Sequence, residues 1–270
     1  MSGEEPESHQ DSIQLRKENR LLSRKLARLE SNVQQMEQIQ DSTSKLLSKL
    51  TQELEEERAK SEVLLLNILP QEIIKRLEAG ETVIADRFDA VTVLFSDFVG
   101  FTEISSTLEP PALVSELNML FSEFDALCEQ LGVEKLKTIG DAYMAVGGLP
   151  GTRSDHTAAV ADLAVAMIRS LERINVAMDR EWRIRIGVHC GPAVAGIIGM
   201  RKFVYDVWGD TVNVASRLEA SSLPNRIHIS EPVAAALGDE FVVEPRGTVE
   251  LKGKGQTTTF FLVGPRREGV

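Results

Sequence analysis

From Leu15 to Ile68 the chain keeps a seam of positions alternately three and four residues apart, and no proline interrupts it between Pro6 and Pro70. The seam runs Leu15, Asn19, Leu22, Leu26, Leu29, Val33, Met36, Gln40, Thr43, Leu47, Leu50, Leu54, Glu57, Ser61, Leu64 and Ile68. A repeat of about 3.5 residues sustained over this length predicts a continuous helix in a coiled coil, rather than one surface helix of a globular domain. With Leu22 and Leu29 taken as d positions, Asn19 falls at an a position, where a buried amide favours a parallel, in-register dimer. Gln40 with Thr43 and Glu57 with Ser61 put polar residues where apolar knobs belong. Those layers are either tolerated imperfections or places where a rotation is transmitted. Pro70 ends the pattern, because proline disfavours helical backbone at the residue before it.

Beyond Pro70 the periodicity changes. Gln71 to Ala79 reads as a short helix stopped at Gly80. Strand and helix then alternate: a strand at 91–96, a helix at 111–131, a hairpin of 135–139 and 142–146, a helix at 155–178 and a strand at 183–188. That order is βαββαβ, a ferredoxin-like α+β arrangement with an antiparallel-rich sheet and helices on one face. A strand at 203–208, a helix at 211–220, a strand at 227–229 and a closing pair near 249–251 and 258–263 follow. The division expected is a disordered N-terminus at 1–12, a coiled coil at 13–69, a linker at 70–86 and a folded domain at 87–270.

Composition narrows the functional classes. With 43% hydrophobic and 26% charged residues the chain can bury a sizeable core, and a net charge of -11 argues against nucleic acid or an anionic membrane as partner. No apolar run reaches the length of a bilayer span, and the acidic start Met1-Ser2-Gly3-Glu4-Glu5 is unlike a signal peptide. Only Cys128 and Cys190 are present, which fits a reducing compartment, with the cytoplasm as the expected location.

The chemistry concentrates at strand ends. Val91-Thr92-Val93-Leu94-Phe95-Ser96 reads as a buried strand delivering Asp97, and Asp141 sits in the Gly140-Asp141 turn of the hairpin. Two carboxylates at neighbouring strand ends can hold a pair of hard divalent cations, the device proteins use for in-line displacement at phosphorus. Gly100, between Phe98 and Phe101, lets backbone approach a ligand, and amides opening the next helix can face phosphate oxygens. His156, His189 and His228 lack metal-ligand spacing.

Three motifs in order, Phe95-Ser96-Asp97-Phe98-Val99-Gly100-Phe101-Thr102, Lys137-Thr138-Ile139-Gly140-Asp141-Ala142-Tyr143 and Tyr205-Asp206-Val207-Trp208-Gly209-Asp210-Thr211-Val212-Asn213-Val214-Ala215-Ser216-Arg217, resemble the class III nucleotidyl cyclases. The resemblance runs from about Leu65 to the chain end. It implies a catalytic domain at 87–270 with Asp97 and Asp141 as metal ligands, two Mg²⁺ or Mn²⁺ ions per site, and a triphosphate cradled by Phe98, Gly100, Phe101 and Thr102. Phe98 and Phe101 also suit core anchors. The resemblance makes Asn213 and Arg217 the transition-state pair and Lys252 a contact of the terminal phosphates, with Lys254 a weaker candidate.

Lys137 and Asp206 match the family's base-reading positions. Adenine offers an acceptor at N1 and a donor at its 6-amino group; Lys137 can only donate and an ionised Asp206 only accept, so the pair is complementary to adenine. A plain Lys137–Asp206 salt bridge is the competing explanation. The expectation is an adenylate cyclase converting ATP to 3′,5′-cyclic AMP, active as a homodimer through coil and catalytic domain and driven by an upstream regulatory domain or partner. Its rivals are a guanylate cyclase and a non-catalytic relay module that keeps the fold.

Overall fold

The computed structural model describes residues 7–66, 68–151, 153–199 and 203–266, with side chains from Leu15 onward. The chain divides into two compact units, Met1–Asn67 and Ile68–Val270. The first is helix α1 (Glu7–Leu66), 60 residues without a break. Part of the 1–12 segment expected to be disordered is thus helical from Glu7, and residues 1–6 lie outside the described residues. Leu22, Leu26, Leu29, Val33, Leu47, Leu50 and Leu54 are all exposed on α1. An apolar stripe of this length on a lone helix has no partner within its own unit, as a coiled-coil seam requires.

In the second unit, helix α2 (Gln71–Glu78) starts directly after Pro70 and precedes strand β1 (Ala85–Phe98). Then come α3 (Phe101–Thr107), α4 (Pro110–Leu131), β2 (Glu134–Ile139), β3 (Ala142–Gly147), α5 (His156–Met178), β4 (Ile184–Ile198) and β5 (Val204–Trp208). The chain closes with α6 (Asp210–Ala220), β6 (Ile227–Ser230), α7 (Glu231–Leu237), β7 (Phe241–Leu251) and β8 (Gly255–Pro265). The sheet order is β2-β3-β1-β4-β6-β8-β7, with β5 paired to β4. Its β2-β3-β1-β4 portion is the ferredoxin-like core expected of βαββαβ.

Helices cover both faces of this sheet, not one. Leu94 and Phe98 of β1 pack with Leu120 and Phe124 of α4 and Leu163 and Met167 of α5. The alternate residues Val91, Val93 and Phe95 pack with Ile73 and Ile74 of α2, and with Tyr205, Val207 and Ala215. The physical reason is legible in β1, whose residues Val91 to Ser96 are all buried, as in strands covered on both faces. The segment expected as linker, 70–86, therefore contributes Ile73, Ile74 and Ile84 to the core. Arg76 of α2 fixes it further, pairing with Asp86 and, at 2.9 Å, with Glu81.

Helix α6 lies close against β4. A Cβ added at Gly187 would meet Glu219 N at 2.1 Å and Ala215 O at 2.4 Å, so only glycine allows this approach. Just beyond α6, His228 of β6 is fully buried. Its Nδ1 lies 2.8 Å from the Leu218 carbonyl, to which it donates, and Arg246 Nη1 lies across the ring, 2.9 Å from Nδ1 and 3.2 Å from Nε2. Burial, with the Arg246 charge also opposing protonation, pushes the imidazole down to about 4.

A depressed histidine has a defined sign. Below about pH 6.5 the unfolded chain takes up a proton that the native chain refuses, so stability is lost as pH falls from there toward 4. The full penalty is about 3 kcal/mol. Burial pushes the Glu134 and Glu219 carboxyls up to about 7, which acts in the opposite sense. The readout is therefore a difference: the urea midpoint of wild type should fall between pH 7 and 5 more steeply than that of His228→Gln. Equal slopes would contradict the neutral, buried imidazole.

Candidate active site

Asp97 is delivered by the end of strand β1, and Asp141 by the β2–β3 turn whose Gly140 adopts a left-handed φ of 65°. The two carboxyl groups meet. Burial, and then hydrogen bonding to and the charge of Asp97, push the Asp141 carboxyl up to about 6. Two carboxylates forced together without a cation repel each other, so the pair presents a ready oxygen donor set for a hard dication. Mg²⁺ typically binds through one or two carboxylates plus substrate phosphates, which this pair fits. Among the described residues no third His, Cys, Asp or Glu completes an all-protein metal cluster.

Asp97 is also held from the side. Arg185 stands opposite it in the β1–β4 register, its Nη2 donating to Asp97 Oδ2 at 3.1 Å and its Nε to Glu219 Oε1 at 3.0 Å. Sequence reasoning missed both partners. The available cue was a charged residue between Ile184 and Ile186 in an otherwise apolar strand, but only the register puts it beside Asp97.

After Asp97, Phe98 turns into the core, edge-on to Trp182 with centroids 5.2 Å apart, and Phe101 packs against the same cluster. Gly100, at φ 73°, caps α3, whose Glu103 and Ile104 amides bond to the Gly100 carbonyl. The first amides of a helix lack an intrahelical acceptor, and here they belong to Phe101 and to the exposed Thr102.

A second cluster joins β2 and β5. Lys137 Nζ donates to Asp206 Oδ2 at 2.5 Å, while Asp206 Oδ1 accepts from the Val207 amide at 2.9 Å. Both anticipated partners are thus side by side, with Asp206 further held by the Val207 amide.

A third cluster lies on α6 and the β7–β8 turn. Ala215 and Glu219 face the sheet at Gly187. Residues two apart on a helix are roughly 200° apart around its axis, so Asn213 and Arg217 point away from that sheet. Arg217 Nη1 would be 3.7 Å from a Cβ at Gly253, which puts its guanidinium beside the turn carrying the exposed Lys252. Lys254, the weaker candidate, is instead paired with Asp210 at the start of α6. Among the described residues, no hydrogen bond or ion pair joins Asp97 or Asp141 to Asn213, Arg217 or Lys252.

A ferredoxin-like core with helices on both faces, paired aspartates at one strand end and a donor–acceptor pair on β2 and β5 define a nucleotidyl cyclase of class III. Residues 83–264 match the family described as the adenylate and guanylate cyclase catalytic domain, and the chain belongs to that family. It is 45% identical over 212 residues to an adenylate cyclase of Mycobacterium bovis, covering 78% of this chain and 48% of that protein. It is 42% identical over 244 residues to atrial natriuretic peptide receptor 2 of Homo sapiens, covering 88% of this chain and 23% of the receptor. The chain therefore spans about half or less of these relatives' lengths. Among solved structures, the guanylate cyclase domain of RhGC from Catenaria anguillulae in complex with GTP aligns with a TM-score of 0.65 and 36% identity. That alignment covers 67% of this chain and 100% of the fungal domain.

Proposed function

We propose that the protein is an adenylate cyclase, active as a homodimer, that converts ATP to 3′,5′-cyclic AMP and pyrophosphate. The observation that carries the choice of base is the Lys137–Asp206 pair, 2.5 Å apart and held by β2 and β5. A side chain that only donates next to one that accepts suits adenine N1 and its 6-amino group, whereas guanine inverts both requirements.

In this reading Asp97 and Asp141 hold two divalent ions, Mg²⁺ or Mn²⁺. When bound, such ions lower the pKa of the ribose 3′-hydroxyl and offset the charge on the departing pyrophosphate. The chain's own groups do the rest. The hydroxyl oxygen attacks the α-phosphorus, its proton passes to solvent, and the bond from that phosphorus to the bridging oxygen breaks, the electron pair leaving with pyrophosphate. Amides following Gly100 donate to phosphate oxygens, Asn213 orients the ribose, and Arg217 donates to the charge growing on the transferring phosphoryl group. Lys252 meets the terminal phosphates.

Because α6 turns Glu219 toward the Asp97 side and Arg217 the other way, Arg217 is directed away from the aspartates of its own chain. The reading therefore assigns Asp97 and Asp141 to one protomer of each site and Lys137, Asp206, Asn213, Arg217 and Lys252 to the other. The seam of α1 pairs with a second copy in parallel, and an upstream domain or partner supplies the signal. Among the described residues no helix is long and apolar enough to cross a membrane, and we assign the protein to the cytoplasm.

Guanylate cyclase activity is the second reading, favoured by the likeness to a guanylate cyclase domain solved with GTP. Chromatographic quantification of cyclic nucleotide from ATP and from GTP, with Mn²⁺, separates the two. The expected kcat/KM for ATP exceeds that for GTP by at least about 100-fold, since a mismatched base leaves buried polar groups unpaired. Equal turnover of GTP would overturn the assignment.

A further inference from the structure

The roles above leave out Lys254 and Asp210, although both stand beside residues that have one. Asp210, Asn213 and Arg217 recur at three and four residues on α6 and so share one face of it. The β7–β8 turn lies along that face. Strand pairing ends at Leu251 and Gly255, which leaves Lys252, Gly253 and Lys254 as the turn, closed by the Lys254 amide donating to the Leu251 carbonyl at 2.8 Å. Leu251 packs on Val214 and Leu218 of α6, Gly253 lies beside the Arg217 guanidinium, and the Lys254 ammonium pairs with Asp210. Lys252 is exposed, and among the described residues no ion pair holds its own ammonium. With the Lys254 and Asp210 side chains 37% and 61% exposed, their pair adds little to the stability of the fold, so its effect lies in where the turn sits.

We infer that the Lys254–Asp210 pair is a latch that sets the β7–β8 turn against α6, which makes both residues positioning residues for Lys252 in its contact with the terminal phosphates. This rests on the reading of Lys252 as that contact. Two consequences separate a latch from a second phosphate-binding lysine. If Lys254 itself held phosphate, removing the charge of Asp210 would free the ammonium and tighten the site for an anion. A latch predicts the reverse, because the turn loses its hold. Moreover, a residue acting through Lys252 has nothing left to do once Lys252 is gone, whereas a direct contact adds its own loss.

The test is inhibition of the full chain by pyrophosphate and by 5′-AMP at fixed free Mg²⁺, with the KM for ATP measured alongside. Pyrophosphate carries the groups that Lys252 is read to meet, and AMP lacks them. For Lys254→Gln and for Asp210→Asn the Ki for pyrophosphate and the KM are each expected to rise about threefold, within the range an exposed ion pair supplies, while the Ki for AMP stays within about twofold. Lys254→Arg keeps the pair and is expected to bind pyrophosphate as wild type does. In a Lys252→Gln background, Lys254→Gln is expected to change the Ki by less than about 1.5-fold. Tighter or unchanged pyrophosphate binding by Asp210→Asn overturns the inference, as does a full additional loss from Lys254→Gln in that background. A parallel rise in the Ki for AMP would mean a general disturbance of the fold and also overturns it. Should Asp210→Asn fail to melt cooperatively, the effect of Lys254→Gln with and without Lys252 decides in its place. Lys252→Gln alone separates the two readings: wild-type affinity for pyrophosphate there sinks the assignment of Lys252 itself, while its loss alongside an unaltered Asp210→Asn sinks only the latch.

Discussion

Asp97→Ala and Arg217→Ala chains are each expected to be inactive alone and active once mixed. Asp97→Ala removes one of the two carboxylates proposed to hold the dications. Arg217→Ala removes the proposed donor to the transferring phosphoryl group, and such an arginine is worth roughly 10³-fold or more in related phosphoryl transfers. Because α6 presents Glu219 and Arg217 on opposite sides, the proposed division puts the two lesions in different halves of each site. A mixed dimer then contains one site with both lesions and one with neither. Under subunit exchange roughly half the dimers are mixed, so activity should return to roughly a quarter of wild type. Cyclic nucleotide formation after co-incubation, with heterodimers verified by mass-tagged chains, gives the answer. Persistent inactivity of verified heterodimers would contradict the division of residues between protomers.

The second large effect concerns the base. Lys137→Glu with Asp206→Cys replaces a donor by an acceptor and removes the fixed acceptor, so the adenine pattern is lost at both points. Sites built to hydrogen-bond a substrate group discriminate against analogues lacking it by up to about 10⁴-fold, and that preference for ATP should collapse. Neither residue contributes to the principal core, so melting temperature should change little. The ratio of kcat/KM values for ATP and GTP is the readout. A double variant that still preferred ATP would mean the pair is only a salt bridge between β2 and β5.

Much of this was readable from the sequence, for reasons that differ by element. Helices α4 and α5 were found nearly to their ends because their apolar residues recur at helical spacing over 22 and 23 residues. The hairpin of β2 and β3 followed from its Gly140-Asp141 turn. Helix α3, with seven residues and none buried, carries no periodic signal, and beyond the amides expected to open a helix after Gly100 its extent was not anticipated. Helix α7 left a usable cue, Ser230 before Glu231-Pro232 and then Val233 four positions ahead of Leu237, that went unread.

The second helical layer was hidden for another reason. The unbroken burial of Val91 to Ser96 implied cover on both faces, yet a βαββαβ pattern by itself specifies only the α4 and α5 side. The candidate residues that sit on motifs were all legible, and the structure brings together Asp97 with Asp141, Lys137 with Asp206, and Arg217 with the turn of Lys252. Arg185 and Glu219 were not, because their significance lies in pairing across 88 and 34 residues of chain. Such partners are set by register and helix docking, which local patterns do not encode.

Gly187 touches no substrate group in any of these roles, yet it sets the seat of α6. A methyl group there would meet backbone atoms of both Ala215 and Glu219 and force the helix off the strand. That one displacement would loosen the grip of Glu219 on Arg185 and turn the opposite face, with Arg217, out of line. In the proposed dimer both halves of a site would be spoiled by a change at a residue that contacts neither. The seating of α6 is thus decided from beneath it, by the absence of a side chain on β4.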